Sequence, residues 1–128
     1  MLFFLLFLWS VQSTCMLRSS DMITFVTVCN SNAHVYEMLP NKKFNLTKTI
    51  FPSRVVAIEG KWMTRSWKNK VFVYYKLGQE WKEDYQLTVK ENITDLNIEN
   101  EMLTIFTPMV WMFDLQKTHF FKTVPFTQ

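Results

Sequence analysis

The sequence predicts a mainly β domain, a closed barrel or alternatively a β-sandwich, with a short helix near its carboxyl end. Two observations carry this. Short runs rich in β-branched and aromatic residues recur along the chain, and such side chains suit a pleated, half-buried surface. Between the runs lie Asn, Ser, Pro and Gly residues that favour turns.

The runs can be taken in order. Residues 23–29 hold Ile23, Phe25, Val26 and Val28, and stop at the turn signal Asn30-Ser31-Asn32. Residues 33–38 form a second run that ends before Pro40-Asn41. Residues 54–59 read as a third strand closed by Gly60, and residues 71–75 as a central strand apolar on both faces, followed by Gly78. In residues 85–90 the alternation puts Leu87 and Val89 on one face. Residues 102–106 complete the set. Thr107-Pro108 then resembles a helix start, with threonine as N-cap and proline at the first helical position. Trp111 and Leu115 would share a face of that helix as it runs toward Lys117; another β segment is the alternative.

The amino terminus adds a location. Residues 2–9 are Leu, Phe and Trp without interruption, and Ser10, Val11, Gln12, Ser13 and Thr14 follow. The stretch is shorter than the roughly 20 residues a membrane span needs and matches the apolar part of a secretory signal. Residues 1–14 are therefore expected to be a signal peptide and 15–128 a single secreted β domain with no membrane span. Val11 and Ser13 fit the peptidase best and would leave Thr14 first; cleavage one residue later would expose Cys15. Taking 14 from 128 residues leaves 114, enough for one core.

Composition narrows the function. The 48% hydrophobic residues suffice to bury a core and argue against disorder. The two glycines, Gly60 and Gly78, exclude glycine-rich phosphate loops and dinucleotide fingerprints. Two histidines and two cysteines offer no spaced ligand set for a metal. Cys29 and His34 could be imagined as nucleophile and base, but a bonded or buried cysteine at a strand end is the simpler reading. No catalysis and no cofactor are expected.

In an oxidising compartment Cys15 and Cys29 pair by default, with free thiols or an intermolecular bond as alternatives. The sequons Asn45-Leu46-Thr47 and Asn92-Ile93-Thr94 offer glycosylation at Asn45 and Asn92. Charge is uneven. Arg54, Lys61, Arg65, Lys68, Lys70 and Lys76 face a single acid, Glu59, across residues 54–76. Residues 80–101 are instead dominated by Glu and Asp. Trp62 and Trp67 interleave the basic half, a pattern suited to sulfated glycans or an acidic protein surface; nucleic acid is the wrong partner for this compartment. The simpler alternative has the lysines solvating an exposed strand pair while the tryptophans fill the core.

Three segments together resemble the netrin-like domain, and within it the tissue inhibitors of metalloproteinases. They are the signal ending at Cys15, the strand Val28-Cys29 followed by Asn30-Ser31, and residues 102–106 leading to Trp111. The resemblance implies an OB-like closed barrel with flanking helices. It also implies inhibition of zinc metalloproteinases: the α-amino group and carbonyl of Cys15 would chelate the protease zinc, with Met16 and Leu17 in the substrate cleft. The leading expectation is thus a secreted extracellular protein-binding domain, with metalloproteinase inhibition as its sharpest form. The alternatives are a β-sandwich immune modulator or lipid-binding protein whose aromatics line a cavity between two sheets, and a sulfated-glycan-binding module.

Overall fold

In the computed structural model, residues 15–19 and 23–116 and the backbone of 124–126 are described. The expected signal peptide (1–14) and the stretch around Lys117 lie outside them.

Local turn chemistry sets the architecture. Asn30 and Ser31 both take positive φ, 51° and 67°, between the paired residues Cys29 and Asn32. Asn100 and Glu101 do the same between Glu99 and Met102. Two-residue turns of this hand match the natural twist of the strands they join, so each closes a tight hairpin. Gly60 and Gly78, at φ 57° and 63°, serve two further hairpins where a Cβ would strain the backbone.

The hairpins build three four-stranded antiparallel meanders. Sheet 1 contains β1 (Met16–Ser19), β2 (Thr24–Cys29), β3 (Asn32–Met38) and β4 (Phe44–Ile50). Sheet 2 contains β5 (Val55–Glu59), β6 (Trp62–Trp67), β7 (Lys70–Leu77) and β8 (Glu80–Thr88). Sheet 3 contains β9 (Asp95–Glu99), β10 (Met102–Phe106), β11 (Val110–Asp114) and β12 (Val124–Phe126).

The sheets stack face on face. Val26, Val28, Ala33 and Val35 of sheet 1 meet Val56, Ile58, Met63 and Tyr74 of sheet 2 in one core. The opposite face of sheet 2 presents Val55, Ala57, Val71 and Val73 to Ile98, Leu103, Ile105 and Phe113 of sheet 3 in a second core. Sheet 2 is therefore buried on both faces. The first strand of each meander packs against the first strand of the next, β1 against β5 and β5 against β9. Successive blades of a β-propeller have this build, four-stranded sheets set around a central axis.

Mainly β is thus the observed class, but three finer expectations are corrected. Among the described residues no closed OB-like barrel forms. The β4–β5 and β8–β9 connections carry the chain into a new sheet instead of extending the old one, so faces, rather than edges, meet. A two-sheet sandwich is not formed either, since a third sheet covers the second face of the middle one. The expected helix after Thr107 is a strand: Thr107 N–H donates to Met109 O at 2.8 Å, and the Thr107 hydroxyl oxygen accepts from Met109 N–H at 2.9 Å. The threonine thus folds a tight β10–β11 turn instead of capping a helix. Beyond it β11 pairs with β10, Ile105 opposite Trp111 and Leu103 opposite Phe113.

Candidate functional site

The first strands β1, β5 and β9 converge on a cavity of about 340 Å³. Arg18 and Ser19 reach it from β1, Glu59 from β5, and Asn97 and Glu99 from β9. Each is brought there by the same rule: the innermost strand of a meander has one free edge and alternates its side chains. Arg18 spans the cavity from sheet 1 to sheet 3, its guanidinium 2.7 Å from Asp95 Oδ1 and 3.5 Å from the Leu96 carbonyl. Glu59 accepts from the Glu101 backbone N–H at 3.2 Å. With Arg18 already paired to Asp95, the remaining charge on the lining is that of Glu59 and Glu99. The site is polar, open to solvent and acidic, and suited to a cationic group. Sequence reasoning missed it, because its residues lie on three separate strands, of which β1 is short and β9, though Asp95 to Glu99 alternates, was not among the strands expected.

A second cavity of about 410 Å³ lies between the outer parts of sheets 2 and 3, lined by Thr88, Val89, Lys90, Glu91, Met109 and Trp111. Glu91 Oε1 and Trp111 Nε1 are buried without a hydrogen-bond partner in the structure.

The sequence-predicted residues are distributed as follows. Cys15 and Cys29 form a disulfide across a separation of 14 residues, which removes Cys29 as a nucleophile. His34 Nδ1 lies 3.3 Å from Thr49 Oγ1. Cys15 is exposed at the start of β1; Met16 is half-buried against the cores and Leu17 points to solvent. Asn45 and Asn92 are both exposed. The basic residues do not form one face. Arg54, whose N–H donates to Ser66 O, shares one end of sheet 2 with Lys68 and Lys70. Lys61 and Lys76 lie at the other end, joined by the Lys76 N–H to Lys61 O bond. Lys76 Nζ is paired with Glu37 at 2.5 Å.

Arg65 points inward. It is 8% exposed, its guanidinium carbon sits 3.9 Å from the centre of the Phe72 ring, and Nε donates to Tyr74 Oη at 2.8 Å. Another nitrogen donates to the Pro52 carbonyl. Both aromatic partners come from β7, Phe72 directly opposite Arg65 in the register, whereas the interleaved Trp62 packs in the other core.

Tyr85, half-buried on β8, is the one group among the described residues with a clearly displaced titration. Burial first, then the charges of Asp84 and Asp114, hold its phenol above the ordinary value. A raised folded-state value means the unfolded chain loses its proton first as pH rises, so folding is penalised above about pH 10. Tyr85→Phe is therefore expected to lose less stability than the parent between pH 9 and 11, read by denaturant melts at each pH. Identical pH profiles would rule this out.

Among the described residues no three His, Cys, Asp or Glu side chains gather to hold a metal ion, and no helix is long and apolar enough to cross a membrane. No protein-family model and no curated protein matches the chain in sequence. In structure it is similar to the crystal structure of Saccharomyces cerevisiae Sqt1, with a TM-score of 0.64 at 11% identity. The similarity covers 85% of this chain and 33% of the other, so the chain spans about a third of that protein's length. A likeness at that identity concerns the fold alone.

Proposed function

We propose that this chain is a secreted extracellular binding protein that acts through protein contacts, its binding site the acidic cavity where the first strands converge. One observation supports the reading above the others. Three strands from three sheets bring Arg18, Glu59, Asn97 and Glu99 to one solvent-open cavity, a concave site with a few convergent polar groups of the kind that binds ligands. The Cys15–Cys29 disulfide suits an oxidising compartment. A partner loop offering a lysine or arginine side chain fits the lining. Titrating a lysine- and arginine-containing peptide into isotope-labelled protein should shift backbone resonances of β1, β5 and β9 selectively. Glu99→Lys should abolish those shifts. A saturating titration that moves none of the three strands would sink the proposal.

Metalloproteinase inhibition is the sharper second reading, supported by the exposure of Cys15 and Leu17 beside a disulfide that anchors them. Met16 turns toward the cores, leaving Cys15 and Leu17 to enter a protease cleft. The reading requires cleavage after Thr14, because only then is the Cys15 amine free. The mature protein should then inhibit a metalloproteinase stoichiometrically at micromolar concentration. Full protease activity at that concentration would dismiss it.

Sulfated-glycan binding, a third reading, would draw on Arg54, Lys68 and Lys70 at one end of sheet 2. The lipid-binding alternative finds less support, because the spaces between adjacent sheets are filled by aliphatic side chains.

A further inference from the structure

Each sheet junction in this chain joins one kind of face to the other. The inner face of sheet 1 packs on the near face of sheet 2, and the far face of sheet 2 packs on the inner face of sheet 3. The two ends of the stack therefore present one unused face of each kind. On the outer face of sheet 1, strand register aligns Leu17, Thr27 and His34 in one row and Phe25, Tyr36 and Leu46 in the next. Leu17, Phe44 and Leu46 are 64%, 55% and 49% exposed there, and Phe25 and Phe44 meet edge to face at 5.1 Å. An apolar groove of about 470 Å³ runs between them. Clustered apolar exposure of this kind marks an interaction surface.

We propose that a second copy of this chain covers that face with the outer face of its own sheet 3, head to tail, so that two copies close a ring of six sheets. Three features favour this occupant. The junction repeats the face-to-face packing already made twice within the chain. Its other half offers Phe106, Val110 and Met112, which share the outer face of sheet 3 with Thr104 and Asn97. The charges are also complementary: Glu99 and Asp114 flank Met102 on the outer face of sheet 3, whereas Lys42 and Lys43 are exposed beside Phe44 at the edge of the sheet 1 face.

The number of copies follows from ring size. Propeller rings typically hold about four to eight sheets; one copy supplies three, two supply six, and three would exceed the range. A head-to-tail contact that closes on itself leaves no free apolar end, where one that does not close would grow into a filament. A sugar on Asn45 would not obstruct it, because that residue alternates to the opposite side of β4 from Phe44 and Leu46.

Sedimentation equilibrium of the full secreted chain tests the proposal. The parent is expected at twice the chain mass. Leu17→Glu combined with Phe44→Glu alters exposed positions and should halve the mass. Asn97→Arg combined with Thr104→Arg, at the other end of the stack, should do the same. Far-UV circular dichroism should remain unchanged in both. A monomeric parent, as expected if residues outside the described ones cover the groove, would overturn the proposal. So would a trimer, or a dimer that survives the Asn97 and Thr104 changes, since the latter would pair sheet 1 with sheet 1.

Discussion

Arg65→Ala is expected to destabilise the fold by about 3 kcal/mol, the combined effect of a desolvated cation–π contact and hydrogen-bonding groups left without their partner. The residue lies on β6 within the middle sheet, and its guanidinium rests on the Phe72 ring while bonding to Tyr74 Oη and the Pro52 carbonyl. No carboxylate pairs with it among the described ion pairs. Its removal therefore strands neutral groups, and the released cost of burying a cation offsets part of the loss. For a domain of about 100 residues this amounts to a fall of roughly 15 °C in Tm. Arg65→Lys should lose much of the same stability, because an ammonium cannot reproduce the flat fork that stacks on the ring while donating in two directions. Arg65→Met, which keeps the apolar stem without the charge, should be the mildest of the three. Thermal melts would decide it; an alanine variant within 1 kcal/mol of the parent would mean that the side chain is solvated.

Loss of the disulfide should have a comparable effect. Replacing Cys15 and Cys29 by serine together is expected to cost about 3 kcal/mol, from the freedom an unbridged loop of this length regains in the unfolded chain. The bond ties the start of β1 to the end of β2. Among the described strands β1 pairs only with β2, so its release should also loosen Arg18 from Asp95 and open one wall of the acidic cavity. Guanidinium melts with and without reductant should show the stability difference in the parent and none in the double serine variant. Equal melts for the parent under both conditions would contradict the prediction.

Much of the fold was legible because it rests on local signals. Residues 23–29, 33–38, 54–59, 71–75, 85–90 and 102–106 all overlap strands, since β-branched runs and hairpin turns act over a few residues. Other strands were hidden for identifiable reasons. β6 contains Thr64, Arg65 and Ser66, all buried, so a strand with two buried faces reads as polar. β4 is exposed for most of its length, and Lys48 interrupts the apolar row begun by Phe44 and Leu46. β11 follows Thr107-Pro108, a pair that serves a helix cap and a β turn equally well until the partner strand is known. Architecture was the least legible level, because nothing in a strand pattern says whether edges join into a barrel or faces stack. The acidic cavity shares that difficulty: Arg18, Glu59 and Glu99 come together only through the packing of β1, β5 and β9.

An extracellular protein of the kind proposed has its first strand fastened by a disulfide at a processed amino terminus. The amino-terminal residue and intact mass of the chain secreted from eukaryotic cells, with and without reduction, test it most directly. The expected chain begins at Thr14 or Cys15 and gains the mass of two hydrogens on reduction. A protein retained inside the cell with residues 1–14 intact and both thiols free would contradict it.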